Sequence, residues 1–114
     1  MKIREVVELL NARVVSGHER LDNEVEYGFS SDLMSDVLTV ETDNLLLLTG
    51  LANVQTIRTA EMSDINKIIF VRRKKATEEM ISLAAENDMI LIECDYSMFK
   101  TSGILFKSGI KPIY

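Results

Sequence analysis

Apolar positions follow one kind of spacing up to about residue 44 and another after it, and the two halves predict different elements. Near the start, Ile3, Val6, Val7 and Leu10 recur at the interval of a helix with one buried stripe. A short β-like run, Ala12 to Ser16, ends at Gly17, and then Val25, Tyr27 and Phe29 alternate with Glu24, Glu26 and Gly28 as a half-buried strand does. The loop from His18 to Asn23 is short enough for these two runs to pair across it. Ser30 to Leu38 predicts a short helix, with Ser30 or Ser31 as its cap and Asp32 complementing the positive end of its dipole.

From residue 44 onward three uninterrupted apolar runs appear, Leu45 to Leu48, Ile68 to Val71 and Met89 to Ile92, with helical spacing between them. Strands that are apolar on both faces need cover on both faces, which predicts a parallel sheet built from right-handed βαβ crossovers. The first connecting helix is marked by Val54, Ile57 and Ala60 or Glu61, the second by Met80, Ile81, Ala84 and Ala85. A last helix, about Ser97 to Ser108, is expected to pack Met98, Phe99, Leu105 and Phe106, with Pro112 beyond it. The predicted fold class is α/β: a three-layer domain with a mostly parallel central sheet flanked by helices. No repeat, linker or low-complexity segment divides the chain, so residues 1–114 are expected to form a single domain.

Composition narrows the function. A net charge of -5 and a pI near 4.9 argue against nucleic acid as a partner, since that binding relies on clustered Lys and Arg. The apolar runs are far too short to span a bilayer, and the N-terminus lacks the basic, apolar and cleavage regions of a secretory signal. A cytoplasmic protein with no membrane partner is the expectation. One cysteine, Cys94, and one histidine, His18, rule out a disulfide framework and a conventional zinc site. Cys94 reads as a small buried hydrophobe, His18 as a surface residue, and the six methionines as packing. No phosphate loop, dinucleotide fingerprint, zinc-protease motif or nucleophile elbow occurs, and Asp32 with Asp36 fits a solvated helix face. No catalytic residue, metal or cofactor is assigned.

Ligands of open parallel sheets bind beyond the carboxyl ends of the strands, which selects the loops Thr49 to Asn53, Arg72 to Thr77 and Cys94 to Ser97. Gly50 allows a tight turn and close backbone approach, and Asn53 suits a helix cap. The next turn, Val54-Gln55-Thr56, carries no acid, whereas Glu78 and Glu79 follow Thr77 at the next helix and would repel a phosphate. The contrast predicts an anion site of Thr49, Gly50, Asn53, Arg58, Arg72 and Arg73. The competing reading is a strand-ending turn beside a solvated basic loop, Arg72 to Lys75.

Three segments, "GFSSDLMSDVL", "NLLLLTGLANVQTIRTAEMSDI" and "KIIFVRRKKATEEMISLAAENDMILIECDYSMFKTSGIL", resemble the DRTGG domain family, which is similar in fold to the N-terminal domain of bacterial HPr kinase/phosphorylase. The resemblance covers nearly the whole chain, including the Arg58-Thr59-Ala60-Glu61-Met62 segment. It implies a non-catalytic regulatory module, since the phosphate-loop domain of the kinase has no counterpart here. It also implies a homodimer, and control by an adenine nucleotide or another phosphorylated metabolite. The pentapeptide that names the family is replaced by Thr49-Gly50-Leu51-Ala52-Asn53, with Arg58 able to supply the motif's positive charge. The alternative is a dimerisation or protein-interaction domain with an unknown protein partner and no small-molecule ligand, for which Leu51, Met62 and Phe99 are the residues to watch.

Overall fold

The computed structural model describes residues 1–114. Its elements run α1 (Ile3–Leu9), β1 (Arg13–Ser16), a 3-10 turn (His18–Arg20), β2 (Tyr27–Ser30), α2 (Met34–Val37), β3 (Leu45–Thr49), α3 (Val54–Met62), β4 (Lys67–Phe70), α4 (Glu78–Glu86), β5 (Ile90–Glu93), α5 (Met98–Lys107) and β6 (Lys111–Pro112). The six strands form one sheet in the order β1-β5-β4-β3-β2-β6. All neighbours are parallel except β1, which lies antiparallel on β5. The α/β class predicted from the apolar runs is the class observed.

Two apolar clusters of 13 buried residues each cover the two faces. One joins Ile3 and Val6 of α1, Leu10 just beyond it and Leu105 of α5 to Leu46, Leu48, Ile69 and Ile92. The other joins Val37, Ile57, Ala60, Met80 and Ala84, from α2, α3 and α4, to Leu45, Leu47, Ile68, Phe70 and Leu91. Side chains alternate across a strand, so Leu45 to Leu48 of β3 feed the two layers in turn and all four are apolar. Burial of each stabilises by roughly 1.5–3 kcal/mol.

The N-terminal half departs from its predicted pairing. β1 and β2 form no hairpin: β1 is one edge of the sheet, and β2 lies between β3 and β6 near the other. The connecting segment spends its backbone hydrogen bonds on the start of α1, through Ile3 N to Asn23 O (3.0 Å), Arg4 N to Leu21 O (2.9 Å) and Val25 N to Met1 O (2.7 Å). It wraps that helix instead of reversing, and Val25 joins the core there instead of β2. α2 is a single turn, with Leu33 at its N-cap position and no side-chain cap. Ser31 Oγ instead accepts from Leu33 N just before it (3.0 Å), and Ser30 bonds Ser102 of α5 (2.7 Å). Met98 and Leu105 pack as expected in α5, but Phe99 and Phe106 are 91% and 62% exposed. Pro112 sits in the edge strand opposite Gly28, where its missing N–H does no harm. No helix is long and apolar enough to cross a membrane.

Candidate functional site

The carboxyl ends of β3, β4 and β5 lie side by side, and their hydrogen bonding continues into the loops: Val71 N donates to Thr49 O (3.0 Å) and Cys94 N to Phe70 O (2.9 Å). The Thr49–Gly50 turn is buried and gripped from the side by Asp32, whose Oδ1 accepts from Gly50 N (2.7 Å) and from Thr49 Oγ1 (2.9 Å). Thr49 Oγ1 in turn accepts from Leu51 N (3.1 Å). Asp32 is therefore not a helix-dipole partner; it fixes the turn that ends β3.

Beyond β4 the backbone does something few residues tolerate. Six non-glycine residues have a positive φ, and four of them, Asn11, Asn44, Asp64 and Asp88, are of the two types that accept it most readily. The other two are consecutive arginines, Arg72 at +57° and Arg73 at +62°. Each costs about 1–2 kcal/mol in that conformation. They are held there by the loop after β5, with Arg72 N donating to Tyr96 O (2.8 Å) and Arg73 N to Cys94 O (3.1 Å). Glu93, 6% exposed, ties down the rest of the basic run: its Oε2 accepts from Ala76 N (2.8 Å), and its Oε1 lies 3.6 Å from Lys75 and 3.7 Å from Arg13. The hydrogen bond from Arg13 holds the nearby Asp95 carboxyl below its usual range; desolvation opposes it, and the charges of Arg13, Lys75 and Arg73 add to the lowering.

The bend carries Arg72 back over β3. A Cβ built on Gly50 would lie 2.9 Å from Arg72 Nη2, so glycine is needed there for close approach and not for its backbone angle. Arg72, Arg73 and Lys74 form no ion pair. Lys100 of α5 caps the neighbouring loop, its Nζ 4.0 Å from the centre of the Tyr96 ring.

Of the residues singled out from sequence, Thr49, Gly50 and Arg72 therefore meet, and Arg73 follows directly. Asn53 is occupied with its own helix: its Oδ1 accepts from Thr56 N (2.9 Å), and the Thr56 hydroxyl donates to Leu51 O (2.7 Å). Arg58 lines a cleft between α3 and α4 with Glu79, Ser82, Leu83 and Glu86, a cleft that includes none of Thr49 to Asn53. Asp32 and Tyr96 also contact this turn and the arginine bend, though the sequence did not single them out as ligand residues. Asp32 had no spacing signal, since its partners lie 17 and 18 residues away. An apolar groove of about 240 Å³ runs between α5 and the β2–β6 edge, lined among others by Leu48, Leu105, Phe106 and Ile110. It shares no residue with the Gly50 turn and offers no charge for an anion except Lys111.

No protein-family model and no curated protein matches the sequence. Among solved structures, the fold is similar to that of the CBS and DRTGG domains of the regulatory region of Clostridium perfringens pyrophosphatase, complexed with its activator diadenosine tetraphosphate. The TM-score is 0.75 at 14% sequence identity, over 96% of this chain and 47% of that one. The present chain thus spans about half the length of its neighbour, and the likeness is one of fold.

Proposed function

We propose that this chain is a non-catalytic sensing module of the DRTGG type, binding an adenine nucleotide or another phosphorylated metabolite at the Gly50 turn. The observation that carries the reading is the Arg72–Arg73 pair. Two arginines are kept in a costly backbone conformation, one of them lies across a glycine at the end of a central strand, and neither forms an ion pair. Strain of this sort persists where surrounding structure imposes it and clusters at ligand sites. The likeness to a regulatory region that is complexed with a nucleotide activator supports the same reading, as does the sequence resemblance with its implied kinship to the HPr kinase N-terminal domain. Sensing requires the ligand to prefer one arrangement of the protein over another, because only differential affinity shifts an equilibrium.

A thermal-shift screen with adenine and guanine nucleotides, dinucleoside polyphosphates, sugar phosphates and inorganic phosphate tests this. A ligand at 100 times its Kd adds about 2.7 kcal/mol, which raises Tm by several degrees in a domain of this size. The shift should vanish in Arg72→Ala while the unliganded Tm stays close to wild type. Silence across the panel removes the sensing reading.

The exposed Phe99, Phe106 and Met62 favour a second reading, in which the chain acts by assembling with a copy of itself or with another protein. That reading takes no small-molecule ligand, so a silent ligand panel favours it.

A further inference from the structure

We infer that Asp32 reads a hydroxyl on the ligand whose anionic group Arg72 holds, so that the turn takes a phosphorylated sugar or nucleoside monophosphate and discriminates against bare phosphate chains. This rests on the anion-site reading above. The backbone of the turn leaves little for a phosphate to bind. Gly50 N already donates to Asp32 Oδ1, Arg72 N to Tyr96 O and Arg73 N to Cys94 O. Attraction for an anion therefore comes from side chains, the Arg72 guanidinium first.

The same turn carries an opposite charge. Asp32 is exposed, its Oδ1 is fixed by two donors, and its Oδ2 makes no hydrogen bond within the chain. No ion pair joins Asp32 to Arg72, so the carboxylate and the guanidinium flank Gly50 without touching one another. A carboxylate accepts hydrogen bonds and donates none, so a ligand that reaches its free oxygen must bring a donor. A bare pyrophosphate offers only further negative charge, and the carboxylate repels it. A ribose phosphate offers both an anion and hydroxyl donors, and fixed acidic residues commonly take ribose hydroxyls in nucleotide sites.

The test is equilibrium binding of AMP, 2′,3′-dideoxy-AMP and pyrophosphate to the whole chain, its Asp32→Asn variant and its Arg72→Ala variant. Wild type should bind AMP about tenfold or more tighter than the dideoxy analogue, the value of one hydrogen bond to a charged group. Asp32→Asn keeps an acceptor for Gly50 N but places an amide nitrogen where Oδ2 was. Its amide can still donate to a hydroxyl but without charge assistance, so the variant should show weaker discrimination and gain affinity for pyrophosphate. Equal binding of AMP and its dideoxy analogue by wild type, with both lost in Arg72→Ala, overturns the role of Asp32 and leaves the anion site standing. So does pyrophosphate binding through Arg72 while AMP is silent. Failure of all three probes, together with a silent thermal-shift panel, overturns the anion site as well. Should Asp32→Asn fail to fold, the wild-type ratio of AMP to dideoxy-AMP still decides.

Discussion

At the scale of single residues, a Cβ at either Gly17 or Gly50 would meet a neighbour within 3.0 Å, but only Gly17 is intolerant of a side chain. Gly17 has φ +80°, and a Cβ there would press on Met89 O and Ile90 at 2.8–3.0 Å, so both strain and fixed backbone oppose it. Gly50 meets only the far end of Arg72, which can swing aside. Gly50→Ala is thus expected to cost well under about 1 kcal/mol in stability while displacing the guanidinium and weakening anion binding at least tenfold. A melt and a titration on the same sample check it, and undiminished binding would remove Arg72 from the site. Lys67 makes a separate pH prediction. It opens β4 with its side chain buried and Nζ bonded to Asn66 Oδ1 (3.0 Å), and burial pushes its pKa below the ordinary 10.5. The unfolded chain then holds that proton more tightly, so the penalty is full below the lowered pKa and fades as pH rises toward 10.5. Lys67→Met should be more stable than wild type at pH 7, by a margin that narrows on approach to pH 10.5. Urea titrations across that range decide, and a constant margin would assign the gain to packing alone. From sequence, the strand-end rule reaches Gly50 and Arg72. It cannot reach the left-handed backbone at Arg72 and Arg73, because arginine ordinarily avoids that region and only the carbonyls of Cys94 and Tyr96 hold it there.

At the scale of elements, the legible ones are those whose signals are local. α3, α4 and α5 begin at Asn53, Thr77 and Ser97, each of which accepts from the backbone N–H three residues on. The first of these caps also sits within the sequence-predicted site, which allows its roles to be separated. Asn53→Ala should lower stability by about 1 kcal/mol, or Tm by roughly 4 °C, with ligand affinity unchanged. A loss of affinity at constant Tm would make Asn53 a ligand contact and not a cap. Pairing was harder to read than element type. β1 and β2 are neighbours in sequence, yet β1 pairs with β5 and β2 with β3 and β6, and nothing in either short strand encodes a register with a distant one. Arg58 shows the same limit on a helix: its place in the α3–α4 cleft depends on how two helices pack, not on its distance along the chain from Gly50.

At the scale of the whole molecule, α5 turns one apolar side inward and leaves Phe99 and Phe106 outward, seven residues apart and so on one side of the helix. A homodimer that covers them should appear as a doubled mass in light scattering, falling to the monomer mass in Phe99→Ser with the fold retained. A wild-type monomer at every concentration would discard that assembly. The clamp of Asp32 on Thr49 and Gly50 bears on how the chain selects one folded state. Leu45 to Leu48 are four identical side chains feeding two cores in turn, so sliding β3 by one position would largely exchange leucine for leucine. Such an error would go almost unpunished by oil and water alone. It is at the end of the strand that the mistake is detected, because a displaced Thr49 no longer meets the carboxylate, and the residue we assign to ligand selection also proofreads the chain's own alignment.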